Sequence, residues 1–200
     1  MGAAMRIAPV GLIISPHDLD ALVDLVVEAS QVTHHTGIAI AGAAAVAAAV
    51  SAGIAGASVG EATTLGIRAA EIGQQRGQWV AGETVARRIA WAVGLVDATD
   101  HDRSTRDVVE LIGTSLATQE SVPAAFAVLA LHLRDPWQAC LTAASLGGDS
   151  DTIAAMTGAI AGACHGMDAW PLHAVQTVRE TNELDLEIIA EKLLALRTGP

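Results

Sequence analysis

Residues 37–57 have the sequence GIAIAGAAAVAAAVSAGIAGA, with no charged side chain over about the length that spans a bilayer. Most of these residues are alanine or glycine, which gain little free energy on transfer into lipid, and no lysine or arginine lies directly beside them. Small side chains let neighbouring helices approach closely. We therefore expect a tightly packed central helix, near residues 38–53, rather than a membrane span.

Hydrophobic spacing stays helical on both sides of this stretch, without sustained strand-like alternation, so the sequence predicts an all-α protein. Three capping patterns predict helix starts, at Ser15 with Pro16, at Ser104 with Asp107, and at Asp135 with Pro136. Further helices are expected near 59–75, 83–97, 121–133, 150–164, 171–179 and 183–196, with polar loops at 71–79 and 97–105. Since no heptad repeat persists, we expect a compact orthogonal helix bundle in a single domain over residues 1–200.

The composition restricts the partners and the compartment. Eleven basic residues against 22 acidic ones give a formal charge of -11, which repels a phosphate backbone, so we expect no nucleic-acid partner. The apolar run after Arg6 contains Pro9 and is not followed by an A-x-A cleavage site, which argues against export. Cys140 and Cys164 lie in alanine-rich helical patterns, which predicts buried thiols in a reducing cytoplasm.

Residues 145–166, SLGGDSDTIAAMTGAIAGACHG, place two carboxylates and two hydroxyls at the start of an apolar helix. Successive helical residues turn by about 100°, so Asp149 and Asp151 can converge only at a helix entrance, where the paired glycines permit a sharp turn. Two interpretations stay open. Asp149, Asp151 and Thr152 are residue types that cap helices and complement the helix dipole. The same hard oxygens also suit Mg²⁺ or Mn²⁺ better than zinc.

This stretch resembles the C-terminal motif of the ADP-ribosylglycohydrolase family, G-G-D-x-D-T followed by an Ala/Gly-rich helix. Three further stretches are similar to family segments: ESVPAAFAVLALHLRDPWQACLTAA (120–144), VTHHTGIAIAGAAAVAAAV (32–50) and GAAMRIAPVGL (2–12). The resemblance therefore covers nearly the whole chain. It implies an all-α fold with two Mg²⁺ or Mn²⁺ ions that hydrolyses the bond at the anomeric carbon of ADP-ribose, on a modified protein side chain or a small ADP-ribosyl compound.

The resemblance also assigns residues. Asp149, Asp151 and Thr152 match the metal ligands, with Asp149 and Asp151 as catalytic carboxylates and Asp151 as the bridge between the ions. His34 matches the T-H position near the ADP-ribose, although its neighbour His35 or a purely structural role stays open. Gly2 and Ala3 match the Gly-rich loop that approaches the ribose and phosphates, or else form a frayed terminus.

Other motifs of the family, G-D-x-x-G and T-D-D, do not occur in these 200 residues. The acidic cluster of Asp97, Asp100 and Asp102 is better explained as a solvated loop than as their substitute. We therefore expect an N-terminally truncated family fold with half of the binuclear site, its other half lost or supplied by a second chain. The expected function is an ADP-ribosyl hydrolase, and its inactivity as this chain alone stays an open alternative.

Three alternatives remain beside this expectation. One is a non-catalytic ADP-ribose-binding or scaffold protein on the same fold. Another is a hydrolase of a different ribosyl or guanidino compound. The third, a nucleophile and base formed by Cys164 and His165, is disfavoured because adjacent helical side chains diverge by about 100°.

Overall fold

The computed structural model describes residues 1–182 and 185–197. This part of the chain is all-α, with no β-sheet, which confirms the predicted fold class. Its α-helices are α1 (Ala8–Ile13), α2 (Leu19–Ser30), α3 (Gly37–Ile54), α4 (Val59–Arg76), α5 (Val85–Leu95), α6 (His101–Asp107), α7 (Thr118–Leu131), α8 (Pro136–Ser145), α9 (Ser150–His165), α10 (Leu172–Asn182) and α11 (Leu186–Ala195). A π-helical turn, Val108–Ile112, continues α6.

Helix α3 is the centre of the protein, as its composition predicts. Every residue from Gly37 to Gly53 is buried, and α3 packs against α1, α2, α4, α7 and α9. It is long and apolar enough to cross a membrane, but 94% of it is buried within the protein. A Cβ added to Gly66 of α4 would lie 2.9 Å from the Ala45 carbonyl oxygen, so the α3–α4 packing depends on small residues.

Helix α7 is the second core helix and holds the only phenylalanine of the chain, Phe126, fully buried. Every residue from Ser121 to Leu129 is buried, and α7 packs against α5, α8 and α9. Helices α8 and α9 pack against each other, and α9 also contacts α3. Helix α9 is therefore held between the two most buried helices.

Two predicted helix starts are wrong. Ser15 is buried and does not cap α2, which begins at Leu19 because the Asp18 carboxylate, directly before the apolar repeat, accepts a hydrogen bond from the Ala21 amide (3.0 Å). Ser104 is also not a cap. Its hydroxyl bonds the backbone of Asp97, while Asp100 caps α6 through the Arg103 amide (3.1 Å).

The predicted loops are correspondingly shorter. The structure makes residues 101–105 of the expected loop 97–105 helical. Helix α4 continues to Arg76 through most of the expected loop 71–79, and the Arg76 guanidinium bonds Asp20 (2.6 Å) and Asp24 (2.9 Å) of α2. The third predicted start is confirmed, since the Asp135 carboxylate accepts from the Gln138 amide at the start of α8 (2.9 Å).

The C-terminal helices α10 and α11 contain no buried residue. The Arg197 guanidinium follows α11 and donates to the carbonyls of Gly11 (2.9 Å), Leu12 (2.9 Å) and Ser51 (3.1 Å). These bonds fix the end of the described chain against α1 and α3. The predicted start of the last helix, Glu183, lies outside the described residues.

Candidate functional site

The turn that precedes α9 has a left-handed backbone conformation that favours glycine. Gly147 and Gly148 have φ of +77° and +63°, and a Cβ on Gly148 would collide with the Thr114 carbonyl oxygen. That carbonyl accepts a hydrogen bond from the Asp149 amide (2.7 Å). The turn therefore presses the start of α9 against the loop before α7.

The Asp149 side chain does not cap α9, although Asp149 occupies the N-cap position. Among the aspartates at the same position of other described helices, those of α2, α6 and α8 accept a bond from the amide three residues later, and Asp185 of α11 does not. Asp149 makes no such bond, and its Oδ2 is buried without a hydrogen-bond partner among the described residues. Since the carboxylate makes no bond to the helix amides, capping does not explain this residue. Burying its unpaired oxygen also costs free energy.

The other two predicted ligands differ in exposure. Thr152 is buried, with its Oγ1 3.9 Å from the Met5 Sδ, whereas Asp151 is exposed. Within residues 1–182 and 185–197, the Asp151 carboxylate has no hydrogen bond or ion pair, and no group of three His, Cys, Asp or Glu side chains could hold a metal ion. The described residues therefore contain no complete set of such side chains for a metal ion.

The N-terminal segment lies beside the start of α9. Burial lowers the pKa of the Met1 amino group, and the nearby Asp149 carboxylate acts in the opposite direction. A Cβ on Gly2 would lie 2.7 Å from the His34 Nε2, so a larger residue at position 2 would have to displace the imidazole. The Ala3 side chain is buried in the core. The structure thus brings Gly2 and His34 together and leaves only the Ala3 backbone available to a ligand.

His34 is bonded to Thr33, which in turn is bonded to Arg6. Its Nδ1 lies 2.8 Å from the Thr33 hydroxyl, which accepts a bond from the Arg6 guanidinium (2.7 Å). The pKa of His34 is lowered by burial, by the Met1 amino group and by Arg6, so the imidazole is favoured in its neutral form. His35 is exposed. Of the two candidate histidines, only His34 lies next to Gly2.

Two other candidate clusters are explained by local structure. The Asp97 carboxylate accepts hydrogen bonds from the amide and hydroxyl of Thr99, and Asp100 caps α6, so two of the three carboxylates in this acidic cluster are bonded locally. Burial raises the pKa of Cys140 and of Cys164 to about 11. Neither thiol is therefore ionised near neutral pH, which argues against a cysteine nucleophile.

Thr114 is a site residue that the sequence pattern does not predict, and its backbone carbonyl, 35 positions earlier in the chain, contacts Asp149. Any residue type can supply a carbonyl, so such a contact has no side-chain signature. The only available signal was Gly113, whose φ of +91° marks a special turn before Thr114. Met5, beside Thr152, lies in the family-like stretch 2–12 but is not among the predicted site residues.

The fold and this geometry define an all-α protein with a buried, unpaired carboxylate oxygen at the entrance of a core helix. The sequence profile of the ADP-ribosylglycohydrolase family matches residues 1–200. The chain therefore belongs to the ADP-ribosylglycohydrolase family, as the motif resemblance indicated.

Similar proteins come from bacteria, archaea and animals. Over 197 residues the chain is 34% identical to the uncharacterized protein YegU of Escherichia coli (strain K12), covering 98% of this chain and 59% of that protein. It is also 34% identical to an uncharacterized protein of Archaeoglobus fulgidus, over 81% of this chain and 48% of that protein. The ADP-ribosylhydrolase ARH3 of Homo sapiens is 39% identical over 97 residues, 44% of this chain and 26% of ARH3. The chain thus spans about half to three fifths of the first two relatives.

Proposed function

We propose that this chain provides the G-G-D-x-D-T half of a Mg²⁺- or Mn²⁺-dependent hydrolase that removes ADP-ribose from a modified side chain or a small ADP-ribosyl compound. The observation that supports this most is the Asp149 Oδ2, which is buried without a partner among the described residues and is not used for capping. Membership in the ADP-ribosylglycohydrolase family supports the class of substrate. We propose further that a second chain supplies the other half of the binuclear metal site.

Asp149 and Thr152 fit a divalent cation because both offer hard oxygens and one of these oxygens lacks a partner. Asp151, exposed in the first turn of α9, is the third proposed ligand. When bound, the ions would orient the substrate and lower the pKa of a bound water. The chain's own residues have simpler tasks: the turn at Gly148 keeps the Asp149 carboxylate away from the helix amides, and neutral His34 beside Gly2 offers hydrogen bonds to ADP-ribose.

The proposal is tested by release of ADP-ribose from ADP-ribosylated arginine with Mg²⁺ or Mn²⁺, together with calorimetric titration of ADP-ribose. We expect ADP-ribose to bind, divalent ions to strengthen that binding, and Asp151→Ala to abolish both this strengthening and any turnover. Asp102→Ala is the matched control, because Asp102 is also an exposed carboxylate in the first turn of a helix, α6. Turnover that persists in Asp151→Ala contradicts the assigned role, and a chain that binds no ADP-ribose with or without metal contradicts the proposal.

A second candidate function is a non-catalytic ADP-ribose-binding protein. It is favoured by one observation, that the described residues contain no group of three His, Cys, Asp or Glu side chains that could hold a metal ion. Loss of half of a two-metal shell should reduce catalysis more than substrate binding, since the ions both orient the substrate and activate water. ADP-ribose binding without turnover, in the assay above, would select this candidate.

We expect His34→Asn to weaken ADP-ribose binding about tenfold, the value of one hydrogen bond of about 1.4 kcal/mol. His35→Asn is the control, because the His35 side chain is exposed. The His35 backbone carbonyl, which the substitution leaves in place, accepts a hydrogen bond from the Gln78 amide (2.6 Å). The measurement is the calorimetric Kd of both variants. Equal loss in both variants, or loss only in His35→Asn, would show that the structure identifies the wrong histidine.

A further inference from the structure

The loop 113–117, between the π-helical turn and α7, is the direct backbone partner of the candidate site. It starts at Gly113, whose φ is +91°, and its Thr114 carbonyl accepts the Asp149 amide proton (2.7 Å). This bond is the contact that fixes the Asp149 backbone from outside its own helix. Whatever orients the Thr114 carbonyl therefore also orients Asp149.

Glu120, in the first turn of α7, lies against this loop. Its Oε2 accepts a hydrogen bond from the Ser115 amide (3.0 Å), and a Cβ on Gly113 would lie 2.5 Å from the same oxygen. The Ser115 N–H and the Thr114 C=O belong to one planar peptide group, in which they point in opposite directions. By holding the N–H on one side, Glu120 fixes the direction of the C=O that bonds Asp149 on the other side.

Arg88 of α5 holds both ends of the same loop. Its Nη2 donates to the Ile112 carbonyl (2.6 Å) and its Nε to the Gln119 carbonyl (3.0 Å). The Gln119 carbonyl lacks its usual helical donor, because the residue four positions later is Pro123, which has no N–H. The guanidinium takes that place, so Arg88 fixes the backbone on either side of the loop, while Glu120 bonds the peptide between Thr114 and Ser115 within it.

We propose that Glu120 is a positioning residue for Asp149, acting through the Thr114–Ser115 peptide and making no contact with substrate or metal. This inference rests on the proposed function, because Asp149 is the ligand whose orientation it explains. The Glu120 carboxylate polarises the peptide as well as aligning it, since hydrogen bonds in series strengthen one another. Its removal lets the peptide rotate, and the Asp149 carboxylate can then turn toward the free amides of α9.

The test compares Glu120→Ala and Glu120→Gln in the metal-free chain by amide hydrogen exchange, followed by Mn²⁺ titration. Glu120→Ala should speed exchange of the Ser115 and Asp149 amides at least tenfold and weaken Mn²⁺ binding by about 10- to 100-fold. Glu120→Gln should restore both, because its amide oxygen can still accept the Ser115 proton. Glu110 is an exposed carboxylate in the cleft that Arg88, Gly113 and Glu120 also line. Glu110→Ala should therefore change neither the exchange rates nor Mn²⁺ binding.

The exchange measurement separates this inference from the proposed function. If the wild-type chain binds no Mn²⁺, the proposed metal site fails, while the Asp149 exchange rate still decides the role of Glu120. Unchanged Asp149 exchange in Glu120→Ala, or no rescue by Glu120→Gln, overturns the inference. Should the alanine variant not fold, Glu120→Met keeps the length of the side chain without its acceptor and answers the same question.

Discussion

Replacing Asp149 with alanine should abolish Mn²⁺ binding without destabilising the metal-free protein. The side chain makes no capping bond, and its Oδ2 is buried without a partner among the described residues, so its removal relieves a desolvation cost of about 1 kcal/mol or more. Loss of the favourable interaction with the helix dipole, about 0.3–1 kcal/mol, opposes this gain. We therefore expect an unfolding free energy that is unchanged or slightly raised, measured by urea denaturation, together with loss of detectable Mn²⁺ binding.

Asp135→Ala is the matched control for this prediction. Asp135 occupies the same position before α8, but its carboxylate accepts the Gln138 amide proton (2.9 Å). Its removal should therefore cost about 0.5–2 kcal/mol of stability and leave Mn²⁺ binding intact. If Asp149→Ala is as destabilising as Asp135→Ala and still binds Mn²⁺, Asp149 is an ordinary cap and the proposed site is wrong.

Gly53→Ala should lower the unfolding free energy by about 1–3 kcal/mol, although alanine is the better helix former. The added Cβ would lie 2.8 Å from the Ala163 carbonyl carbon and 2.8 Å from the Cys164 nitrogen. Both are backbone atoms of α9, so the contact can be relieved only by moving α9 away from α3. Thermal or urea unfolding of the metal-free chain measures the effect.

Gly60→Ala should have the opposite effect and raise the unfolding free energy. Gly60 lies in the first turn of α4, and nothing lies within 4 Å of a Cβ added there. The substitution should stabilise the protein by up to about 1 kcal/mol, since it reduces the freedom of the unfolded chain without a clash. If both substitutions stabilise the protein, the packing of α3 against α9 is contradicted.

The fold was predictable where the sequence pattern depends on near neighbours. The alanine-rich stretch predicted α3, and Asp135 with Pro136 predicted the start of α8, because both signals act within one or two helical turns. The wrong starts, at Ser15 and Ser104, arose where two capping residues compete within a few positions. Asp18 and Asp100 are the actual caps, because the carboxylate of each reaches the amide three residues later.

The candidate site was predictable only in part. The G-G-D-x-D-T motif located Asp149 and Thr152, but spacing alone could not distinguish a cap from a ligand, since both use oxygens at a helix entrance. That distinction depends on the Thr114 carbonyl, which a distant loop supplies. Likewise, His34 and His35 look equivalent in the sequence, and only the close approach of Gly2 separates them.

The most direct test of the proposed cation site is paramagnetic broadening of amide resonances by substoichiometric Mn²⁺ in the ¹⁵N-labelled chain. We predict that resonances of residues 148–153 broaden first, because Asp149, Asp151 and Thr152 lie there. The acidic cluster at residues 97–102, whose carboxylates bond their own backbone in part, is the internal control. Broadening that is strongest at that cluster, or that spreads evenly over the acidic surface, would contradict the proposal that Asp149 holds a divalent ion.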